Sequence, residues 1–407
     1  MKIPLASLGL RDKDIESAIE CLKSGKLTMG NKVIEFESKI AKYLKSEHFV
    51  MMNSGSSANL AMFEALLRPV SQEPYLKRGD GILVPAIAWP TTIWPILQLG
   101  LKPIFVDVDF KTMCIDLEQA QKVINNSSEL IKGIFPIHIL GYSMDASELT
   151  KFCEKNNLVL LNDVCESLGS WRAGIHAGIC GKGGSFSFYF SHHITTMEGG
   201  GVATNDDCFA DDLRSIRSHG WSRDRSDAFL WTKNVEPDEA KFTFISSGFN
   251  VRPMEVQAAI GISQLEDLDK FIARRREIVK KVDDVTKGSF LKVRGAETLM
   301  DDDKKLENSW MLIPIAIEDK YLNIHEKKII TSELNKVGIE TRPVLTGNFL
   351  RQPGAEKIFN QDFDYKLFEN ANKIADSTFL ISCHHSLTDI EIEYLIEKIK
   401  NLISGIK

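Results

Sequence analysis

Two adjacent histidines near the middle of the chain are unusual residues for a protein core, because their side chains can titrate. His192 and His193 follow the aromatic run 186–190 and precede the glycine cluster 199–201. An imidazole has a pKa near 6.5, so it can take up and release protons at neutral pH. Neighbouring side chains on a strand point to opposite faces, so the two rings are not expected to share a metal ion. The pair therefore predicts an acid–base site and no metal centre.

Two carboxylates follow the apolar segment 158–163. Asp163 ends that segment, and Glu166 comes three residues later. Ligands of open α/β sheets bind at the carboxyl ends of strands, where a carboxylate can pair with a protonated ring nitrogen. A capping aspartate at a strand–helix junction is the alternative, and these residues alone leave both interpretations open.

A hydroxyl-rich turn at 53–57 joins an apolar strand to the helical pattern 59–67. The free N–H groups and positive dipole end of a helix N-terminus can bind a phosphate, and Ser56 and Ser57 would add hydroxyl donors. Taken alone, an ordinary serine N-cap explains the turn more simply.

These residues require a sheet to position them, and the first 260 residues alternate apolar runs with amphipathic segments. Such alternation predicts a mostly parallel sheet with helices on both faces. The expected strands are 81–85, 103–108, 134–140, 158–163, 185–190 and 201–204, and expected helices include 117–124 and 146–155.

The pattern changes after about residue 260 to that of a smaller α+β unit. We therefore predict a large domain at 1–262 and a small C-terminal domain at 263–407. The expected elements are a long charged helix at 263–287, strands at 312–317 and 340–344, helices at 324–337 and 389–403, a solvated turn at 301–305, and a strand carrying Cys383, His384 and His385.

Composition limits the possible partners of this chain of 407 residues. A net charge of −6 argues against nucleic acid or an anionic membrane surface as a partner. The apolar stretch 81–101 contains three prolines, each costing about 3 kcal/mol inside a helix, so it is not expected to span a membrane. Seven dispersed cysteines and the lack of an apolar leader are typical of a cytoplasmic protein.

Four motifs in order resemble the DegT/DnrJ/EryC1/StrS sugar aminotransferase family over essentially the whole chain. They are the serine turn, the strand ending in Asp163, the histidine–glycine segment, and Gly-Phe-Asn-Val-Arg at 248–252 before Glu-Val-Gln-Ala-Ala at 255–259. The resemblance implies the aspartate-aminotransferase (type I) fold, an α/β large domain with a mixed, mostly parallel sheet and a smaller α+β domain. It also implies binding of pyridoxal 5′-phosphate (PLP) and a homodimer.

The chain departs from this family at its most reactive position. His192 stands where the family has the lysine that forms a Schiff base with PLP, and only a primary amine can form that bond. An inactive aminotransferase is one interpretation, although the other motifs remain. Histidine here marks the family's sugar 3-dehydratases. One branch of these needs a cysteine-bound iron–sulfur cluster, but Cys208 is the single cysteine in 201–248.

The resemblance therefore implies the branch without a cluster. Its members use L-glutamate to convert PLP to pyridoxamine 5′-phosphate, and then remove the C3 hydroxyl of a nucleotide-linked 4-keto-6-deoxyhexose. GDP-4-keto-6-deoxy-D-mannose is the expected substrate, giving a 4-keto-3,6-dideoxy sugar for surface polysaccharide of the colitose type. The alternatives are a nucleotide-sugar aminotransferase and a non-catalytic binding or regulatory protein of the same fold.

The matched positions imply three groups of site residues. The expected catalytic residues are His192 and His219. The expected cofactor ligands are Gly55, Ser56, Trp89, Asp163, Glu166, Ser187 and, from the partner subunit, Asn250. The expected substrate ligands are Thr28, Met29, Gly30, Arg223, Arg342, Thr346 and Asn348.

Overall fold

The computed structural model describes residues 1–6, 9–70, 72–297, 306–318, 324–359 and 364–405, without the side chains of 324–326. The helices are α1 (Asp12–Lys23), α2 (Asn31–Leu44), α3 (Gly55–Leu67), α4 (Pro90–Gln98), α5 (Leu117–Asn126), α6 (Ala146–Asn156), α7 (Asp207–Ile216), α8 (Ala228–Thr232), α9 (Pro237–Ala240), α10 (Glu255–Leu265), α11 (Leu268–Thr286), α12 (Ile324–Lys336), α13 (Ala355–Phe359), α14 (Glu369–Ser377) and α15 (Asp389–Gly405). The strands are β1 (His48–Met52), β2 (Gly81–Pro85), β3 (Lys102–Val106), β4 (Ile131–Ile134), β5 (Val159–Asp163), β6 (Trp171–Arg172), β7 (Ile175–His176), β8 (Gly183–Ser187), β9 (Gly200–Thr204), β10 (Leu291–Val293), β11 (Leu306–Glu307), β12 (Ile313–Ile317) and β13 (Thr378–Ile381).

A seven-stranded sheet forms the centre of the molecule, in the order β1-β9-β8-β5-β4-β2-β3. The neighbours from β8 to β3 are parallel, and β9 runs antiparallel to both β8 and β1. Strands such as β2 are buried along their whole length, as expected for a sheet covered on both faces. The predicted mixed, mostly parallel sheet is confirmed.

Aromatic packing fills one face of this sheet beneath the histidine segment. Phe36 of α2 meets Phe188 edge to face at 5.4 Å, and Phe49 of β1 lies 5.8 Å from Phe186 of β8. All four rings are buried. Such pairs contribute about 0.5–1.5 kcal/mol each beyond the burial of area. They therefore fix the strand that leads into the histidines.

A second, antiparallel sheet in the order β10-β12-β13 lies in the C-terminal part of the chain. Its core includes residues of α11 and α15 and also Ile3, whose backbone pairs with Ile339. The short strands β11 and β6 pair across the two parts of the chain. The division of domains at 262 and 263 stays a prediction, and the predicted turn at 301–305 lies outside the described residues.

Several predicted elements are wrong in extent, each for a local reason. The strand expected at 134–140 ends at Ile134, because Pro136 follows and Leu140 adopts a left-handed φ of 52°. The strand expected at 185–190 ends at Ser187, so the histidines lie in the irregular segment after it.

Three further predictions in the C-terminal part need correction. The helix expected at 263–287 is two helices, α10 and α11, separated at Asp267. The strand expected at 340–344 is reduced to one bridge between Arg342 and Leu380, because Pro343 has no N–H to donate. The strand β13 ends at Ile381, so His384 and His385 follow it.

The apolar stretch 81–101 forms β2 and the short helix α4, which contains Pro95. Within the described part of the chain, we find no helix with the length and apolar character needed to cross a membrane.

Candidate active site

A cavity of about 410 Å³ opens at the carboxyl ends of β5 and β8, between the main sheet and the C-terminal part of the chain. Eight of the predicted site residues line it: Gly55, Ser56, Trp89, Asp163, Glu166, Ser187, His192 and Arg342. Met311 and Leu345 close the cavity from the C-terminal side. The fold therefore brings together predicted residues as far apart in the sequence as Gly55 and Arg342, which are separated by 287 positions.

Asp163 is held in place by three donors at the end of β5. Its carboxylate accepts hydrogen bonds from Thr92 Oγ1 at 2.8 Å, Asn59 Nδ2 at 3.2 Å and the Cys165 N–H at 3.2 Å. The carboxylate is buried, and it lines the cavity. These three hydrogen bonds fix the orientation of the carboxylate, which can pair with a ring nitrogen of a ligand in the cavity.

The serine turn forms the N-terminus of α3. Ser54 is the N-cap and accepts a hydrogen bond from the Ser57 N–H at 3.1 Å, as the capping interpretation predicts. Gly55 and Ser56 nevertheless face the cavity. A Cβ on Gly55 would lie 2.7 Å from Ser187 Cβ, so only glycine lets the helix end and β8 approach so closely. The turn is thus a helix cap whose first residues also line the cavity.

The two histidines have different surroundings. His192 lines the cavity, whereas His193 is completely buried and does not line it. Burial, with the charges of Arg275 and Arg342, lowers the pKa of His192 to about 3. Burial lowers the pKa of His193 as well. His192 is therefore a neutral imidazole at pH 7 and can accept a proton from a ligand in the cavity.

Glu166 is the second carboxylate of the cavity. It accepts a hydrogen bond from the Leu140 N–H at 3.0 Å. Burial raises the pKa of Glu166 to about 6, although the positive charge of Arg342 opposes this change. The Arg342 guanidinium lies 5.8 Å from the centre of the Trp89 ring. Arg342 thus links the acidic and aromatic sides of the cavity.

The remaining predicted residues do not line the cavity of their own chain. They are Thr28, Met29, Gly30, His219, Arg223, Asn250, Thr346 and Asn348. Asn348 is buried and uses its side chain to bond the Leu350 N–H and Asn372, which is a structural function. Thr346 donates to the Ala88 carbonyl at 2.8 Å, beside Trp89.

Two of these residues belong to an exposed aromatic group. The Arg223 guanidinium lies 3.9 Å from the centre of the Trp221 ring, and His219 meets the same ring edge to face. Phe244 stacks on Trp221 at 5.5 Å and is 52 % exposed. His219 and Arg223 are thus available to a ligand or partner, but not from inside the described cavity.

Sequence reasoning missed several residues of the site. Tyr189, Ser191 and Cys165 line the cavity, and Thr92 and Asn59 hold Asp163. Tyr189 and Ser191 stand within the motif that was singled out, so their position beside His192 was the available indication. Nothing in the sequence connects Asn59 or Thr92 to Asp163, because the contact is made across the sheet.

The described residues contain no group of three or more His, Cys, Asp or Glu side chains arranged to hold a metal ion. Cys208 is an exposed free thiol on α7.

Comparisons of the sequence and the structure with known proteins identify one family. The DegT/DnrJ/EryC1/StrS aminotransferase family matches residues 9–400. The chain is 35% identical over 410 residues to the GDP-4-keto-6-deoxy-D-mannose 3-dehydratase of Yersinia pseudotuberculosis, covering 100% of this chain and 98% of that protein.

Two solved structures of GDP-4-keto-6-deoxymannose-3-dehydratase are similar over their whole length. One holds a trapped PLP-glutamate geminal diamine and matches with a TM-score of 0.87. The other is a mutant with bound GDP-perosamine and matches with a TM-score of 0.88. Both are 35% identical, over 98% of this chain and 100% of theirs. The chain belongs to the DegT/DnrJ/EryC1/StrS aminotransferase family.

Proposed function

We propose that this chain is a PLP- and glutamate-dependent 3-dehydratase of a nucleotide-linked 4-keto-6-deoxyhexose, with GDP-4-keto-6-deoxy-D-mannose as its substrate. One observation carries the proposal. A neutral imidazole, that of His192, occupies the lysine position of the family motif and lines one cavity with seven other residues expected to bind cofactor or substrate. Two relatives that are 35% identical over nearly the whole chain carry this activity in their names.

The cavity fits a phosphorylated pyridine cofactor. Gly55, Ser56 and Ser187 would hold the phosphate at the N-terminus of α3, where a Cβ on Gly55 would fill the cradle. Asp163 would pair with the ring nitrogen, and Trp89 would cover the ring. When bound, PLP supplies an electron sink, and its amine form supplies the amino group that condenses with a sugar ketone.

His192 supplies the proton chemistry. Its Nδ1 is buried, so Nε2 is the nitrogen left to exchange protons with a ligand in the cavity. The low pKa of this imidazole keeps Nε2 unprotonated at pH 7, ready to act as the base. The proton that Nε2 takes up is then available to the C3 hydroxyl of the sugar as it leaves.

The side chain at position 192 determines whether the reaction ends in amino transfer or in elimination. A lysine would capture the aldehyde form of the cofactor and favour amino transfer to the sugar. Imidazole cannot form that bond, so the amine form of the cofactor stays available for elimination. The product would be a 4-keto-3,6-dideoxy sugar, and ammonia would be released.

We also infer a homodimer with shared active sites. Asn250 does not line the cavity of its own chain, although the family motif assigns it to a phosphate site. Two aromatic residues shortly before Asn250 are exposed: Phe242 has 67 % of its surface accessible and Phe244 has 52 %. Exposed apolar residues grouped in this way favour a protein interface. Contact of this segment with the active site of a second subunit would explain both the position of Asn250 and the exposed aromatic rings.

Product analysis tests the proposed function directly. The purified enzyme with PLP and L-glutamate would be incubated with GDP-, CDP- and dTDP-linked 4-keto-6-deoxysugars, and products would be identified by mass and by ammonia release. We expect ammonia and loss of one hydroxyl from the GDP sugar, with no electron donor added. An aminated sugar without ammonia would identify an aminotransferase instead, and conversion of none of the sugars would favour a binding protein.

A further inference from the structure

A second, much smaller cavity lies directly behind the active site, and His192 forms part of the wall of both. Its free space of about 10 Å³ is enough for one occupant of the size of a water molecule or a halide ion. Arg275, His193, His384 and His385 also line it, and none of these four residues lines the active-site cavity.

Arg275 places an uncompensated positive charge at this cavity. It is 2 % exposed, and it donates to three carbonyl oxygens: Met311 at 2.8 Å, Trp310 at 3.2 Å and His192 at 3.4 Å. Its Nε is buried and has no partner. In the described part of the chain, no carboxylate forms an ion pair with it. A buried charge without a counter-ion is costly, by several kcal/mol in real proteins.

The histidines around Arg275 bring no negative charge to it. The Nδ1 atoms of His192 and His385 are buried without a hydrogen bond. The buried rings of His193 and His384 lie beside the backbone of Ser309 and of Pro4, which offers each ring a hydrogen-bonding contact but no charge. Burial and the charge of Arg275 lower the pKa of each of these imidazoles. The N–H groups of His192 and His385 therefore still need an acceptor.

The acids nearest to this cluster are committed elsewhere. Asp14 accepts hydrogen bonds from Arg11, Ser263 and Gln264, and Glu391 accepts from the N–H and hydroxyl of Thr388. Neither carboxylate lines the cavity. Further charged or titratable neighbours add no negative charge, because Arg11 and Arg342 are cations. The Cys383 thiol donates to the Trp310 and Met311 carbonyls, and burial raises its pKa to about 11. The required negative charge is therefore not supplied by these groups.

We propose that this cavity, walled by Arg275, His192, His193 and His384, binds one halide-sized anion, which in the cell is chloride. The anion balances the Arg275 charge and accepts the N–H groups of the surrounding imidazoles. Water could satisfy the N–H groups but leaves the charge uncompensated. Phosphate and sulfate are too large for a space that holds one water-sized occupant.

The anion also gives His192 a partner that the protein does not provide. With its Nδ1–H directed to the anion, His192 keeps the lone pair on Nε2, on the side of the active site. The negative charge stabilises the imidazolium that forms when Nε2 takes a proton, as a carboxylate does in other acid–base pairs. This second part rests on the proposed function of His192, whereas the anion site itself does not.

Bromide crystallography tests the site without any reaction. Crystals of the PLP-bound enzyme grown without chloride would be soaked in sodium bromide, and anomalous diffraction would be collected at the bromine edge. We expect one anomalous peak enclosed between Arg275 and His192. If the cavity contains only water density under these conditions, the proposal is wrong, even if bromide peaks occur on the surface.

Anion exchange tests the consequence for His192. The rate at which L-glutamate converts bound PLP would be followed by absorbance, with chloride replaced by gluconate at constant ionic strength. We expect a saturable chloride activation of about threefold to tenfold, with a shift of the pH profile to lower pH when chloride is removed. A rate and pH profile that do not respond to chloride would contradict this role.

Two neighbouring arginines of α11 provide matched variants. Arg275→Met should remove both the bromide peak and the chloride response. Arg274→Met is the control, because Arg274 pairs at the surface with Glu277 and Asp389 and should leave both unchanged. If Arg275→Met does not fold, the bromide soak of the unmodified enzyme still tests whether the cavity binds an anion. A bromide peak in an enzyme that dehydrates no sugar would refute the proposed function alone.

Discussion

At the scale of single residues, the two adjacent histidines differ only in what surrounds them. His192 faces a cavity large enough for a cofactor, while His193 is completely buried and does not line that cavity. The prediction that they would point apart rested on strand geometry, and the strand ends at Ser187. The separation instead follows from the irregular backbone after β8, where the His192 N–H donates to the Tyr189 carbonyl at 3.0 Å.

Substitution at position 192 tests the assignment of the base. His192→Asn should retain PLP, because Asp163 and Ser56 remain, and should slow both the glutamate reaction and sugar dehydration by about 10²- to 10⁴-fold. Stopped-flow absorbance and product assays would measure the two steps. Unchanged rates in this variant would remove His192 from the mechanism.

Lysine substitution at each position tests which of the two histidines faces the cofactor. His192→Lys should form a covalent bond to PLP that borohydride fixes, visible by intact mass, whereas His193→Lys should not, because its side chain does not face the cavity. The unmodified enzyme should yield no adduct after the same treatment. An adduct that appears only with His193→Lys would mean that the wrong histidine was assigned.

The raised pKa of Glu166 predicts how the stability of the protein depends on pH. Its pKa rises from 4.5 to about 6 on folding, so between these values the native state holds a proton that the unfolded chain has lost. Stability from this group is therefore full below pH 4.5 and is lost as pH rises through 6, amounting to about 2 kcal/mol. Glu166→Gln should stabilise the cofactor-free protein at pH 8 by up to that amount.

Urea unfolding at pH 5 and at pH 8 measures this difference. The stabilisation by Glu166→Gln should be less than half as large at pH 5 as at pH 8, because the native carboxyl is mostly neutral at pH 5. Gln keeps an acceptor for the Leu140 N–H. Equal changes at the two pH values would show that desolvation of the carboxylate is not the cause.

At the scale of elements, one strand–turn–helix unit brings the N-terminus of α3 to the cavity. The contact between α3 and β8 depends on Gly55, since its missing Cβ leaves room for Ser187. Gly200 at the start of β9 is equally constrained, because a Cβ there would lie 2.4 Å from the Gly55 backbone nitrogen. Small residues on three elements thus bring one helix end to the cavity.

Gly55→Ala should weaken PLP binding by at least tenfold, since overpacking costs about 1–3 kcal/mol and must shift α3 or Ser187. Equilibrium dialysis or absorbance titration with PLP would measure the affinity. Gly405→Ala at the end of α15 is the control, because an added Cβ there meets nothing within 4 Å. An unchanged affinity in Gly55→Ala would place the phosphate elsewhere.

At the scale of the whole molecule, the cavity is closed by residues of both parts of the chain and, in our proposal, by a second subunit. Asn250 is the residue expected in the partner's site. Its backbone forms a bridge with Ser218, and its Oδ1 accepts a hydrogen bond from Arg252 Nε at 3.1 Å. Both contacts of Asn250 are made within its own chain.

Complementation between two variants tests the shared site. His192→Asn and Asn250→Ala should each be poorly active, but dimers formed from one chain of each contain one native site. After subunit exchange, random pairing gives half mixed dimers, so about one quarter of native activity should return. A mixture that stays as inactive as its components, while remaining dimeric in sedimentation, would show that the two residues serve the same chain's site.

The sequence determined the family, the sheet type and a set of residues that meet in one cavity, because those depend on short motifs and on apolar periodicity. The four ordered motifs identified the family correctly, and eight of the named site residues meet in one cavity. The dehydratase branch that follows from His192 agrees with the names of the relatives. Element limits were less certain where proline or a left-handed residue ended a strand, as at Pro136 and Leu140.

Only the tertiary structure decided what encloses His193, what holds Asp163, and what lies behind the site. Asn59 and Thr92 reach Asp163 from positions 104 and 71 residues away, and Arg275 reaches the His192 carbonyl from 83 residues away. Local sequence patterns report backbone preference and burial, which act over a few residues. The charge of Arg275 beside unpartnered imidazoles arises only when distant segments pack together, so no motif could reveal it.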